Sequence, residues 1–245
     1  MKLHINFGRS TRSLLKRDEA MPKDRTPISR VTRSKDVAKA SYDRMSRWYD
    51  AIAGSSEWKF VQAGIELLNA DKGEKVLDIG YGTGKSVLAL AHTVGKTGSV
   101  SGIDLSKGMY EMALNRLIKA GISENVDLRC GDAVNLPFKD SSFDAVFSSF
   151  TLELFDTPEI PQVLQECQRV LRRPGRIVIV SMSKKPKESI AVKLYEWAHA
   201  KLPTFFDCRP IYVMESIATA GFDVIESVEM RMWGLPVDAV LAKKD

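Results

Sequence analysis

The chain has 245 residues, 44% of them apolar, and a formal net charge of +5. That length suits one well-buried α/β domain with an extension, and no stretch reaches the ~20 uncharged apolar residues that cross a bilayer. Three cysteines, Cys130, Cys167 and Cys208, stand far apart and follow no Cys/His ligand spacing, so no metal site is expected and the setting reads as reducing and cytoplasmic.

Charge is unevenly placed. Residues 1–39 hold eleven Lys/Arg and four Asp/Glu, a net of +7, which leaves −2 for the remainder. Few apolar residues and two prolines, Pro22 and Pro27, predict a flexible basic tail over 1–36 without a core of its own. It reads either as a solvated leader or as a tether to an anionic surface, a membrane periphery or nucleic acid. No apolar h-region marks a secretory signal, and Asp18, Glu19 and Asp24 count against a transit peptide.

Over 37–53, Tyr42, Met45, Trp48 or Tyr49, and Ile52 recur on one helical face, opposite Asp43, Arg44, Ser46 and Arg47. The segment is an amphipathic helix packed on a sheet, or part of a lid spanning 37–60. From there strands and helices alternate, the pattern of a doubly wound parallel sheet. Strands are expected at 76–79, 99–104, 126–130, 143–149 and 176–182. Helices are expected at 84–94, from the cap Ser106 to Gly121, and at 158–172. The stretch 184–212 is surplus to this core and reads as an insert over a site. A helix at 211–220 and an antiparallel hairpin at 223–232 and 237–243 close the domain, 37–245.

The chemistry concentrates where the first of these strands ends. Residues 76–84 read Val-Leu-Asp-Ile-Gly-Tyr-Gly-Thr-Gly, and Asp104 ends the next strand. Glycines at this spacing let the backbone turn sharply and approach a ligand. A carboxylate at a strand tip suits a ribose diol. A dinucleotide fingerprint needs a third glycine where Val87 stands, and a phosphate loop needs its first glycine where Ile79 stands. The remaining pattern, Asp-x-Gly-x-Gly-x-Gly, puts an acid ahead of the glycines and favours a cationic ligand group.

The stretches VLDIGYGTG and VSGIDLS resemble the first two motifs of the class I S-adenosylmethionine-dependent methyltransferases. VDLRCGDA at 126–133, LPFKDSSFDAVFSSF at 136–150 and VLRRPGRIVIV at 170–180 continue the resemblance in order. Within that family YDRMSRWYD is similar to the lid of the ubiquinone/menaquinone-biosynthesis group. The resemblance implies a Rossmann-like, seven-stranded, mostly parallel sheet with an antiparallel last strand and helices on both faces. It implies S-adenosyl-L-methionine as cofactor.

Carried over residue by residue, Gly80, Tyr81, Gly82 and Gly84 would follow the methionine part of the cofactor, and Asp78 would help to hold its ammonium group through loop amides or water. Asp104 would take the ribose. Leu105 and Met109 would pack on adenine, although Met109 also fits a core position. Asp132 and Ala133 would meet the adenine edge, and Ser148 would face the transfer site. Tyr42 and Tyr49 would cover the sulfonium. Lys85 is expected to face solvent.

In-line methyl transfer needs alignment more than a protein nucleophile. The only candidates for a base are His199 and Glu153. The acceptor is open among a quinone-like ring, a thiol or another metabolite. The Asn/Asp-Pro-Pro-aromatic element of amino-directed nucleic-acid methylases is missing, since Ser148-Ser149-Phe150-Thr151 stands in its place. Two further readings stay open: phospholipid N-methylation at a membrane surface, and a cofactor-binding regulator without turnover.

Overall fold

The computed structural model describes residues 10–11, 28, 30–31, 34–52, 57–122, 124–185 and 208–244. For 10–11 and 44–52 it describes the backbone alone. His199 and most of the expected insert lie outside the described residues, as does the side chain of Tyr49.

Strands β1 (Ser10–Thr11), β2 (Lys75–Ile79), β3 (Ser99–Asp104), β4 (Val126–Cys130), β5 (Phe143–Ser149), β6 (Leu171–Met182), β7 (Asp223–Met232) and β8 (Leu235–Lys244) form one sheet in the order β1-β7-β8-β6-β5-β2-β3-β4. Pairing is parallel from β4 through β6, while β8 runs antiparallel between β6 and β7. These are the seven expected strands, with the reversed last strand inserted inside the sheet rather than at its edge. The edge carries β1, two residues of the basic stretch paired antiparallel to β7.

The parallel strands are buried on both faces, so they read as apolar runs rather than alternations. In β5 every residue from Phe143 to Ser148 is buried. One apolar cluster lies on each side of the sheet, around Leu77, Val146 and Leu164 on one and Val76, Phe147 and Leu90 on the other. Helices α1 (Lys35–Ile52), α2 (Trp58–Leu68), α3 (Lys85–Val94), α4 (Lys107–Ala120), α5 (Ile160–Val170) and α6 (Val213–Thr219) cover them. Ser106 caps α4 as expected, its hydroxyl accepting from the Met109 amide at 3.1 Å, and Gly121 ends that helix with φ +67°.

From β2 the chain winds outward through β3 and β4, then returns to place β5 on the other side of β2. The strand order therefore switches direction between β2 and β5. In open α/β sheets the ligand crevice lies at such a switch, outside the carboxyl ends of the strands.

Candidate functional site

A cavity of about 240 Å³ opens at that place. Its floor is made by the ends of four strands: Ile79-Gly80 after β2, Ile103-Asp104 on β3, Gly131-Asp132 after β4, and Ser149-Phe150-Thr151 after β5. Lys35, Ala38 and Tyr42 of α1 form one wall, and Trp58 and Val61 of α2 another.

Gly80 and Gly84 are glycines for different reasons. At Gly80 φ is +72°, and a Cβ would lie 2.1 Å from the Thr151 hydroxyl oxygen. At Gly84 φ is +80°, and a Cβ would lie 2.9 Å from the Ala113 Cα of α4. The first glycine admits the loop after β5, and the second lets α3 start against α4. Gly84 does not line the cavity, so its role is packing rather than the ligand contact expected of it.

Asp104 is the best-defined polar group of the site. Its Oδ2 accepts from the Gly82 amide and its Oδ1 from the Ser106 amide, both at 2.9 Å. Burial raises its pKa, and the two amide bonds oppose that rise. A carboxylate has about four lone-pair directions, so each oxygen keeps capacity for a ligand hydroxyl.

Tyr81 is 3% exposed; its ring lines the cavity and its hydroxyl donates to the Arg129 carbonyl at 3.2 Å. Leu105, Met109 and Ala133 also line the cavity. Met109 is 2% exposed, so the core and ligand alternatives merge: the side chain is buried and faces the cavity.

Asp132 lines the cavity with its charge already matched. Lys35 Nζ lies 2.6 Å from Asp132 Oδ2 and 2.6 Å from Glu159 Oε1. Burial works against the lysine charge, but the two carboxylates outweigh it and raise its pKa. Beside it Arg30 pairs with Asp156, chiefly through the side-chain hydrogen bond, and holds that carboxyl far below its usual range.

Several expectations need correction. Ser148 is buried, and its hydroxyl donates to the Ile79 carbonyl at 3.0 Å; the strand alternation turns Ser149 toward the cavity instead. Asp78 is fully buried and does not line the cavity. Burial pushes it up to about 7. The nearby Ser86 hydroxyl pulls the other way without meeting hydrogen-bond geometry, so neither carboxylate oxygen has a partner. Glu153, a candidate base, is fully buried and does not line the cavity, with Oε1 accepting from the Met182 amide at 3.1 Å. Lys85, expected to face solvent, is half-buried and lines the cavity.

Other groups had no sequence signal. Phe150 follows β5 with φ +50°, an unusual conformation for an aromatic residue, and its ring stands edge-on to Phe60 at 6.1 Å. Arg209 is 1% exposed and donates to the Phe155 carbonyl at 2.5 Å and the Thr157 hydroxyl at 3.2 Å, bracing the wall from behind.

The strand-end acid, the glycine turn and the switch-point cavity coincide with a known domain. Residues 76–175 match the family described as "Methyltransferase domain". Over these residues the chain is similar to a methyltransferase domain. The chain is 34% identical over 157 residues to the ubiquinone/menaquinone biosynthesis C-methyltransferase UbiE of Pseudomonas fluorescens, covering 64% of this chain and 59% of that one. It is 38% identical over 131 residues to a demethylmenaquinone methyltransferase of Staphylococcus epidermidis, covering 54% and 52%. The chain thus spans a little over half the length of these curated relatives.

Among solved structures, a SAM-dependent methyltransferase from Aquifex aeolicus superimposes with a TM-score of 0.62 at 22% identity, over 82% of this chain and 97% of that one. The [4+2]-cyclase SpnF superimposes with a TM-score of 0.69 at 18% identity, over 86% and 97%. These likenesses establish the fold; a cyclase on the same fold shows that chemistry must be argued from the site.

The residues present fit the cofactor. Asp104 offers unused acceptor capacity beside a glycine turn, and Leu105 and Met109 supply apolar surface next to it. Among the described residues no cluster could hold a metal ion, and no helix is long and apolar enough to cross a membrane.

Proposed function

We propose that this chain transfers a methyl group from S-adenosyl-L-methionine to an apolar small-molecule acceptor, a quinone-like ring above other metabolites. The observation that carries the reading is Asp104, fixed by the Gly82 and Ser106 amides at the cavity floor with acceptor capacity to spare.

In this reading Asp104 takes the ribose hydroxyls, and the backbone at Gly80–Gly82 lies along the methionine portion. Leu105 and Met109 pack on the adenine faces, with Asp132 and Ala133 at its edge. Asp78 acts from beneath the loop, through the backbone or water. The cofactor supplies a methyl group on a sulfonium, activated for displacement. The chain's task is alignment and exclusion of water, which carry much of the rate in such a transfer.

Tyr42 and the start of α1 serve as the lid. Lys35 and Asp43 fasten that helix to the domain by bonds of 2.6 Å to Asp132 and to Ser106. Trp58, Val61, Phe150, Leu154 and Phe155 give the cavity an apolar wall suited to a planar, weakly polar acceptor. The printed activity of the quinone-biosynthesis relatives supports the same class.

Calorimetric titration with S-adenosylmethionine, followed by methyl-release assays with a quinol, a thiol and a phospholipid, tests the reading. Binding and preferred turnover of the quinol are expected. No binding at millimolar cofactor would falsify the whole reading. Preference for the thiol or the phospholipid would overturn the acceptor class, and binding without turnover on any acceptor would make the chain a regulator.

A further inference from the structure

Lys85 is the first residue of α3 and lines the cavity, half-buried. A cation in the first turn of a helix opposes the helix dipole. No acidic residue in that turn offsets it, and Gly84 before it has no side chain to cap the helix. The start of α3 therefore does not account for the charge.

The rest of the cavity does. Among the described residues two lysines, Lys35 and Lys85, line it against five acids, Glu57, Asp104, Asp132, Asp156 and Glu159. Lys35 is held by Asp132 and Glu159, each at 2.6 Å. A wall so rich in acids repels any anionic part of a ligand. The methionine portion of S-adenosylmethionine ends in an ammonium and a carboxylate. The ammonium suits this wall, and the carboxylate needs a cation beside it.

The two lysines serve different parts of the floor. Lys35 reaches Asp132, which follows β4, whereas Lys85 follows the glycine turn after β2. Between them lies β3, with Asp104 at its tip. Neighbouring strands are about 4.8 Å apart, so the ends of β2 and β4 are separated by roughly 10 Å. With the ribose on Asp104 and adenine beside Asp132, the methionine portion runs along the glycine turn, the part of the floor next to Lys85.

We propose that the Lys85 ammonium is the counter-charge for the methionine carboxylate of the cofactor. The inference rests on the methyl-transfer reading and adds a second charged anchor to it. Asp104 fixes the ribose end and Lys85 the amino-acid end. The sulfonium between them then keeps one orientation, which in-line transfer requires. A charge-assisted bond to a carboxylate is among the stronger hydrogen bonds, so its loss is measurable.

Calorimetric titration with S-adenosylmethionine and with its decarboxylated form tests this. The decarboxylated form keeps the sulfonium and the ammonium and lacks only the carboxylate. Lys85→Gln should bind the intact cofactor about tenfold more weakly than the unaltered chain does, and the decarboxylated form equally well. Lys85→Met keeps the apolar stem and should behave the same way, so the test survives misfolding of either variant. Lys85→Arg should keep most of the affinity for the intact cofactor. Equal loss of both ligands in the neutral variants, or loss of neither, would overturn the proposal. A raised KM for the quinol with cofactor affinity unchanged would give Lys85 to the acceptor and overturn it too. If the unaltered chain binds neither form, the methyl-transfer reading itself falls. If it binds both and the neutral variants do not separate them, only the role of Lys85 falls.

Discussion

Asp43 Oδ1 accepts the Ser106 hydroxyl hydrogen at 2.6 Å, and the same oxygen accepts the Gly108 amide at 2.9 Å. Ser106 is also the cap of α4 and a neighbour of Asp104. One carboxylate thus joins α1 to the turn that orients the proposed ribose acceptor. Burial disfavours its charge, but the Ser106 hydroxyl and Gly108 amide outweigh burial and lower its pKa.

Asp43→Ala removes the charge-assisted bonds that hold α1 to this turn. Cofactor affinity should fall about tenfold, on the order of 1–2 kcal/mol. Tm should change little, because the sheet and its two apolar clusters are untouched. Calorimetric titration checks the first and a thermal melt the second; unaltered affinity would show that α1 does not respond to the cofactor.

Asp104→Ala should weaken cofactor binding by about a hundredfold or more, through the loss of two bonds to a charged acceptor. Asp104→Asn keeps one carbonyl acceptor and should lie between the two. The far-UV circular dichroism of both variants should match the unaltered chain. Wild-type affinity in Asp104→Ala would remove the ribose role.

Gly80→Ala places a Cβ 2.1 Å from Thr151 Oγ1 on a backbone with φ +72°. Destabilisation of roughly 2–3 kcal/mol is expected from overpacking and the strained conformation together. Adding Thr151→Gly should restore only part of the loss, since the φ penalty persists. Urea unfolding of the single and double variants measures the split, and full restoration would mean that sterics alone exclude a side chain.

Burial lifts Glu153 from its ordinary 4.5 to about 7, and its Oε2 has no partner. A raised carboxyl pKa means that the folded chain holds the proton more tightly than the unfolded chain. Stability from this group is therefore greatest at low pH and falls as pH rises from about 4.5 through about 7. Asp78, lifted from 3.8 to about 7, has the same sign. Asp156, Glu74 and Glu166 are lowered and act oppositely, losing stability as pH falls through about 4. Tm should peak near pH ~5. Glu153→Gln should flatten the decline above the peak and raise Tm at alkaline pH. An unchanged slope in that variant would place the buried proton elsewhere.

Much of the cofactor side was legible in the sequence, because its signals are local. Apolar runs, the Ser106 cap, the glycine turn and the acid ending β3 all act within a few residues, and most element boundaries fell within about two residues of expectation, although β6 begins at Leu171, inside the helix expected over 158–172. Even there direction was hidden: Ser148 and Ser149 differ only in which face of β5 they take, and Asp78 lies beneath the loop it introduces. The charged frame of the cavity was not legible. Lys35 meets Asp132 across 97 residues and Arg30 meets Asp156 across 126, and no periodicity relates such partners.

By itself, then, the sequence determined the alternation of strands and helices and the glycine turn with its strand-end acid, since backbone geometry and hydrogen-bond chemistry at consecutive positions suffice for these, while the methyl donor was implied by the resemblance of its motifs. Only the tertiary structure decided which side chains reach the cavity, how α1 is fastened and why Glu153 is withdrawn from solvent. Those depend on packing between elements far apart in the chain, and on the desolvation that such packing imposes.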